Sequence, residues 1–100
     1  MGHWGYEYCQ VYLRGPVPAV ADLPSAPGVA VEPHHNNRRL ERLGDDFPNW
    51  PTLVDVYADG QEGQQAIVGL VTALLRQMWA AGVPAVAACD FEDELPEPEW

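Results

Sequence analysis

The sequence predicts an α+β domain, a sheet of about four strands with one long helix packed on one face. The order is β-loop-β-short α-β-α-β. Residues 52–91 place one helix-periodic run between two β-rich runs. Two further stretches, near residues 6 and 29, carry the aromatic and β-branched content of strands. Ten prolines and nine glycines in 100 residues require irregular connections between short elements. No internal repeat divides the chain, so residues 1–94 are expected to form one domain and residues 95–100 an acidic, Pro-containing tail.

The first strand is expected over residues 6–13, "YEYCQVYL". Alternation sets Cys9, Val11 and Leu13 on a core face, and Tyr6, Tyr8 and Tyr12 on the other. Residues 14–28 contain four prolines and two glycines and read as an extended loop. A short strand is expected at 29–32. A brief helix follows, with Asn36 or Asn37 as its cap, Leu40 and Leu43 facing inward, and Gly44 at its end. Its Arg38, Arg39 and Arg42 form the one basic cluster. Phe47 and Trp50 anchor an irregular turn.

Residues 52–57, "TLVDVY", read as a strand, and a long helix is expected from about 60 to 81. Asp59 stands as its N-cap with Glu62 three residues on, the acidic form of a capping box. Gly82 and Pro84 end it. Ile67, Leu70, Val71, Leu74, Met78 and Ala81 form the face expected to meet the sheet. Val68, Leu75 and Trp79 widen that apolar arc to an edge that something must cover, either the Pro-rich loop or a second copy of the chain. The last strand is expected over 85–91.

A β-α-β unit places its two strands parallel in one sheet, so both end at the edge where the helix begins. Asp59 is thereby expected near Asp90, Glu92, Asp93 and Glu94. The carboxyl edge of parallel strands is where open α/β sheets bind ligands. The arrangement resembles the ferredoxin-like superfold, whose first helix would fall in the Pro-rich segment 14–28.

Charge narrows the function classes. Fifteen acids face five bases, all Arg, for a formal net charge of −10. Six of the acids lie in the last eleven residues, so more than half of the net charge sits there. Such a surface repels nucleic acid backbone and anionic membrane, and favours a basic protein surface or a cation. No apolar window is long enough to span a membrane and the amino terminus lacks signal-peptide features, so a cytoplasmic location is expected. The absence of Lys, the single Ile67 and the wealth of Ala, Gly, Pro, Val and Arg resemble the composition of a GC-rich bacterial source. Cys9 and Cys89 are the only cysteines, without CxxC spacing, and read as two packed thiols.

The first functional expectation is a non-enzymatic binding protein that engages a basic partner through its acidic carboxyl edge. Asp90, Glu92, Asp93 and Glu94 would supply charge, and Phe91 and Trp100 apolar anchors. Size and charge resemble those of small immunity-type or inhibitor-type proteins. No cofactor is implied. The alternative is a small metal-dependent or acid–base enzyme that uses Asp59, Asp90, Glu92 and Asp93. His34 and His35 would join these acids in a divalent-cation site. A third expectation is a homodimeric ligand-binding domain whose interface is Val68, Leu75 and Trp79.

Overall fold

The computed structural model describes residues 5–36 and 49–97. Its elements are β1 (Tyr8–Leu13), β2 (Val29–His35), β3 (Thr52–Ala58), α1 (Gly60–Ala80) and β4 (Ala85–Ala88). One 3-10 turn spans Val20–Asp22, between β1 and β2, and another spans Glu92–Glu94, after β4. The four strands form one sheet in the order β2-β3-β1-β4, with every neighbouring pair antiparallel. Strands β3 and β4 therefore run in the same direction with β1 between them, and β3-α1-β4 is a split β-α-β unit. The helix lies on one face of this sheet, which is the α+β architecture expected. Where the ferredoxin-like superfold carries a first helix, segment 14–28 holds only the turn Val20–Asp22. The expected short helix at 36–43 falls almost wholly outside the described residues.

The core follows from period-2 and period-3.6 patterns meeting. In β1, Cys9, Val11 and Leu13 are fully buried while Tyr8, Gln10 and Tyr12 are half-buried. Val54 and Val56 of β3 extend that buried face, and Ile67, Leu70, Val71, Leu74, Leu75 and Met78 of α1 close over it. Leu23 reaches the same cluster from the Pro-rich loop, so that loop is tacked to the core. Gln77 on the helix adds a second tether, its amide Nε2 donating to Asp22 O at 2.5 Å.

The helix ends as its sequence dictates. Gly82 takes φ +80, its N–H donates to Trp79 O at 3.0 Å, and Val83 N–H donates to Met78 O at 2.8 Å, a Schellman motif. The start differs from expectation. Asp59 occupies the N-cap position, but its side chain makes no capping bond. Its backbone N–H instead donates to Gly28 O at 2.6 Å, which straps the loop before β2 onto the helix start. Gly63 permits this approach, because a Cβ there would overlap Gly28 O and lie 3.0 Å from Ala58 Cα.

Strand boundaries also differ: β1 begins at Tyr8 rather than at residue 6, and β3 runs one residue further, to Ala58. Strand β2 runs three residues beyond the expected 29–32, through Pro33, His34 and His35. Among the described strands it pairs only with β3, and an edge strand tolerates a proline whose missing N–H would face away from the ladder. Strand β4 stops at Ala88 rather than at residue 91. Past it the chain coils back, with Glu92 N–H on Cys89 O and Glu94 N–H on Phe91 O. This turn buries Phe91 to 2% exposure, a gain that further pairing at the sheet margin would forgo.

Candidate functional site

The split β-α-β unit does bring the ends of β3 and β4 to the edge where α1 begins. It does not gather the acids there. Strand β1 lies between β3 and β4, so the two strand ends stand about 10 Å apart, two interstrand spacings. Asp59 is exposed on one side of that gap. On the other, Asp90 is exposed and its Oδ2 accepts the Gly5 N–H at 2.8 Å. Among the described residues no group of three or more His, Cys, Asp and Glu side chains is arranged to hold a metal ion.

The predicted partner-binding residues divide into two sets. Phe91 is in the core, stacked on Tyr6 with ring centroids 5.6 Å apart, and presents no surface to a partner. Tyr6 also donates its hydroxyl to Glu94 Oε2, and this contact pushes the phenol pKa up because the neutral donor is favoured beside a carboxylate. Asp90 and Glu94 are thereby tied to the segment ahead of β1. Glu92 and Asp93 remain exposed on the 3-10 turn. Trp100 lies outside the described residues.

Glu92 and Asp93 border a groove of about 460 Å³. Its apolar lining comes from Leu75 and Trp79 of α1, Ala85, Val86 and Ala87 of β4, and Leu95 and Pro96 of the carboxyl-terminal segment. Glu92, Asp93 and Glu97 supply its charge, and among the described residues no basic one lines it. The helix edge expected to need a cover thus forms one wall. Leu75 is buried, and Val68 and Trp79 are half-buried against the core. The indole Nε1–H of Trp79 donates to Ala85 O at 3.1 Å and fixes the ring against β4.

Strand β4 pairs only with β1, so its second edge faces outward among the described residues. Arg14 N–H donates to Pro84 O, which turns the Pro84 carbonyl toward β1. Alternation then points the backbone groups of Val86 and Ala88 toward β1 and those of Ala85 and Ala87 away. The indole takes the Ala85 carbonyl, and Ala87 carries the next outward pair beside the groove.

The opposite face of the sheet holds a polar cluster that joins His34 to two residues with no expected role, Asp55 and Tyr8. Asp55, in the middle of β3, accepts the Tyr8 hydroxyl on Oδ1 at 2.6 Å and meets His34 Nε2 on Oδ2 at 2.6 Å. His34 Nδ1 lies 2.9 Å from His35 O. The Asp55 hydrogen bond, then the His35 carbonyl, raise the His34 pKa above its ordinary value against a small opposing effect of burial. Burial and then the Asp55 bond push the Tyr8 phenol well above its usual range. Tyr57 packs at 5.0 Å from the Tyr8 ring. Both nitrogens of His34 face acceptors, so as an imidazolium it donates twice and presents neither nitrogen to a substrate. The cluster ties β1, β2 and β3 together. An aspartate inside an apolar β-run was the available signal, since Asp is depleted in strands and needs a partner there.

His35 is exposed at the end of β2, paired in register with Thr52. Neither histidine approaches the acidic edge as the expected metal site required, because β2 is the far edge strand from β4. No described helix is long and apolar enough to cross a membrane. Comparison with protein-family models, with curated proteins and with solved structures finds no match to this chain.

Proposed function

We propose that this protein is a non-enzymatic binding module that takes a basic, partly apolar segment of a protein partner into the groove between α1, β4 and residues 92–97. The observation that carries the reading is the juxtaposition of an apolar lining with three carboxylates and, among the described residues, no cation. Apolar contact supplies most of the affinity in such an interface, and charge supplies orientation, on-rate and partner choice. Arg or Lys flanking an apolar side chain fits that pattern. The outward backbone pair of Ala87 favours a partner in extended conformation, which would add to the sheet edge.

Electrostatics also favours a basic partner over a second copy of this chain. Two copies joined through this groove would set Glu92, Asp93 and Glu97 near their own like charges, on chains that each carry −10. The chain's own Leu95 and Pro96 already cover part of the edge formed by Leu75 and Trp79.

The test is a titration with a peptide alternating Arg and Leu, followed by calorimetry at low and at high salt. Affinity should fall about tenfold or more as salt rises, and Glu92→Lys with Asp93→Lys should weaken it while leaving the melting temperature unchanged. Salt-independent binding, or full binding by the double variant, would sink the proposal.

A further inference from the structure

Cys9 and Cys89 are both free thiols. The β1–β4 ladder pairs Val11 with Ala87 and ends at Gln10 with Ala88, so one antiparallel step carried past the end of β4 sets Cys9 opposite Cys89, and the two thiols are near enough to hydrogen-bond. Because the Pro84 carbonyl points toward β1, alternation makes this a non-hydrogen-bonded pair. In such pairs the Cα atoms come to about 4.5 Å and the side chains stand closest. A disulfide spans Cα separations of about 4.4–6.8 Å. Both side chains belong to the same buried cluster, Cys9 at its centre and Cys89 at its margin.

From this juxtaposition we infer that Cys9 and Cys89 form a dithiol site which a hydroperoxide oxidises to a cross-strand disulfide. Accessibility assigns the roles. Cys89 is half-buried and can be reached from solvent, whereas Cys9 is fully enclosed. A hydrogen bond from the Cys9 thiol, with help from the Phe91 backbone N–H, holds the Cys89 thiol below its usual pKa against the effect of burial. The same contact with Cys89, and then burial, push Cys9 up. Cys89 is thus the thiolate that attacks first, and Cys9 resolves.

In the first step the Cys89 thiolate attacks one peroxide oxygen. An S–O bond forms, the O–O bond breaks, and the departing alkoxide leaves with a proton as an alcohol, or as water from hydrogen peroxide. In the second, the Cys9 sulfur gives up its proton and attacks the Cys89 sulfenic sulfur. The S–S bond forms, the S–O bond breaks, and hydroxide leaves with that proton as water. Two thiols and one hydroperoxide yield one disulfide, one alcohol and one water. The bridge would join residues 80 positions apart and lock edge strand β4 to β1.

The experiment uses the full chain, reduced, freed of reductant and treated with one equivalent of hydrogen peroxide without air. Intact mass and alkylation under denaturing conditions should show loss of two hydrogens and of both thiols together. Peptide mapping should link Cys9 to Cys89 within one chain, and dithiothreitol should restore both thiols. Cys89→Ala should slow peroxide consumption about tenfold or more, since the enclosed thiol is left alone. In Cys9→Ala, Cys89 should gain one oxygen and be captured by dimedone. Thiols that stay alkylatable in the wild-type chain, bridges only between chains, or Cys89 over-oxidised without a bridge would each overturn the inference. The wild-type result decides the matter even where a variant fails to fold.

Discussion

His34 and Asp55 meet across the β2–β3 pair, Nε2 to Oδ2 at 2.6 Å, with the other imidazole nitrogen on the backbone carbonyl of His35. This contact couples folding to pH in the range where imidazole titrates. The folded pKa of His34 is raised, so its stabilising contribution is fully present below the unfolded value, about 6.5. It is lost as pH rises through the folded pKa. Partial exposure of the ring screens the pair and keeps the effect below about 1 kcal/mol. Asp55→Asn should return the His34 midpoint in an NMR titration toward the ordinary value and flatten denaturant-derived stability across that window. An unchanged midpoint would break the link.

Glycine content in α1 gives opposed outcomes on one helix. Gly63→Ala forces a methyl against Gly28 O and Ala58 Cα and should cost about 1–3 kcal/mol, despite better helix propensity. Gly69→Ala meets nothing within 4 Å and should stabilise by about 1 kcal/mol. Urea melts of the two variants check the pair, and equal effects would contradict the close approach of loop and helix.

Phe91 should behave as a core residue although it sits in an acidic stretch. Phe91→Ala is expected to cost about 3–5 kcal/mol, as for other buried aromatics. Its neighbour variant Glu92→Gln should stay within about 0.5 kcal/mol of wild type. Thermal melts at fixed pH distinguish the two, and a mild Phe91→Ala would place the ring outside the core.

The groove predicts a separation between stability and binding. Leu95→Arg places a cation among the apolar lining and should weaken capture of a cationic peptide at least about tenfold. Trp79→Phe keeps apolar area but deletes the Nε1–H to Ala85 O bond, and should cost about 1 kcal/mol of stability. Fluorescence titration and melts of both variants supply the comparison.

Much of the architecture is local and therefore legible from sequence. Alternation in "YEYCQVYL" assigns the faces of β1, and Gly82 marks the helix end it makes. What failed was set by distant residues. Asp59 looks like a capping side chain, yet Gly28, far earlier in the chain, takes its N–H. Phe91 reads equally as strand or anchor until Tyr6 is known to stack on it. Strand order hid the rest. The parallel relation of β3 and β4 is readable from the β-α-β unit, but the insertion of β1 between them is not. That insertion separates the acids of the candidate metal site and sets Cys9 beside Cys89. The groove was not legible, because its walls come from a helix face, a strand edge and a segment read as a free tail.

The placement of β1 also bears on how the molecule comes into being. Of the four described strands β1 is synthesised first, yet it is an interior one, flanked by β3 and by β4, the last of the four to be made. Until residues 85–88 emerge, one side of β1 has no hydrogen-bonding mate within the domain. Nascent chains stalled before that point should therefore expose Tyr8–Leu13 as an adhesive edge, and are the species for which a chaperone would compete.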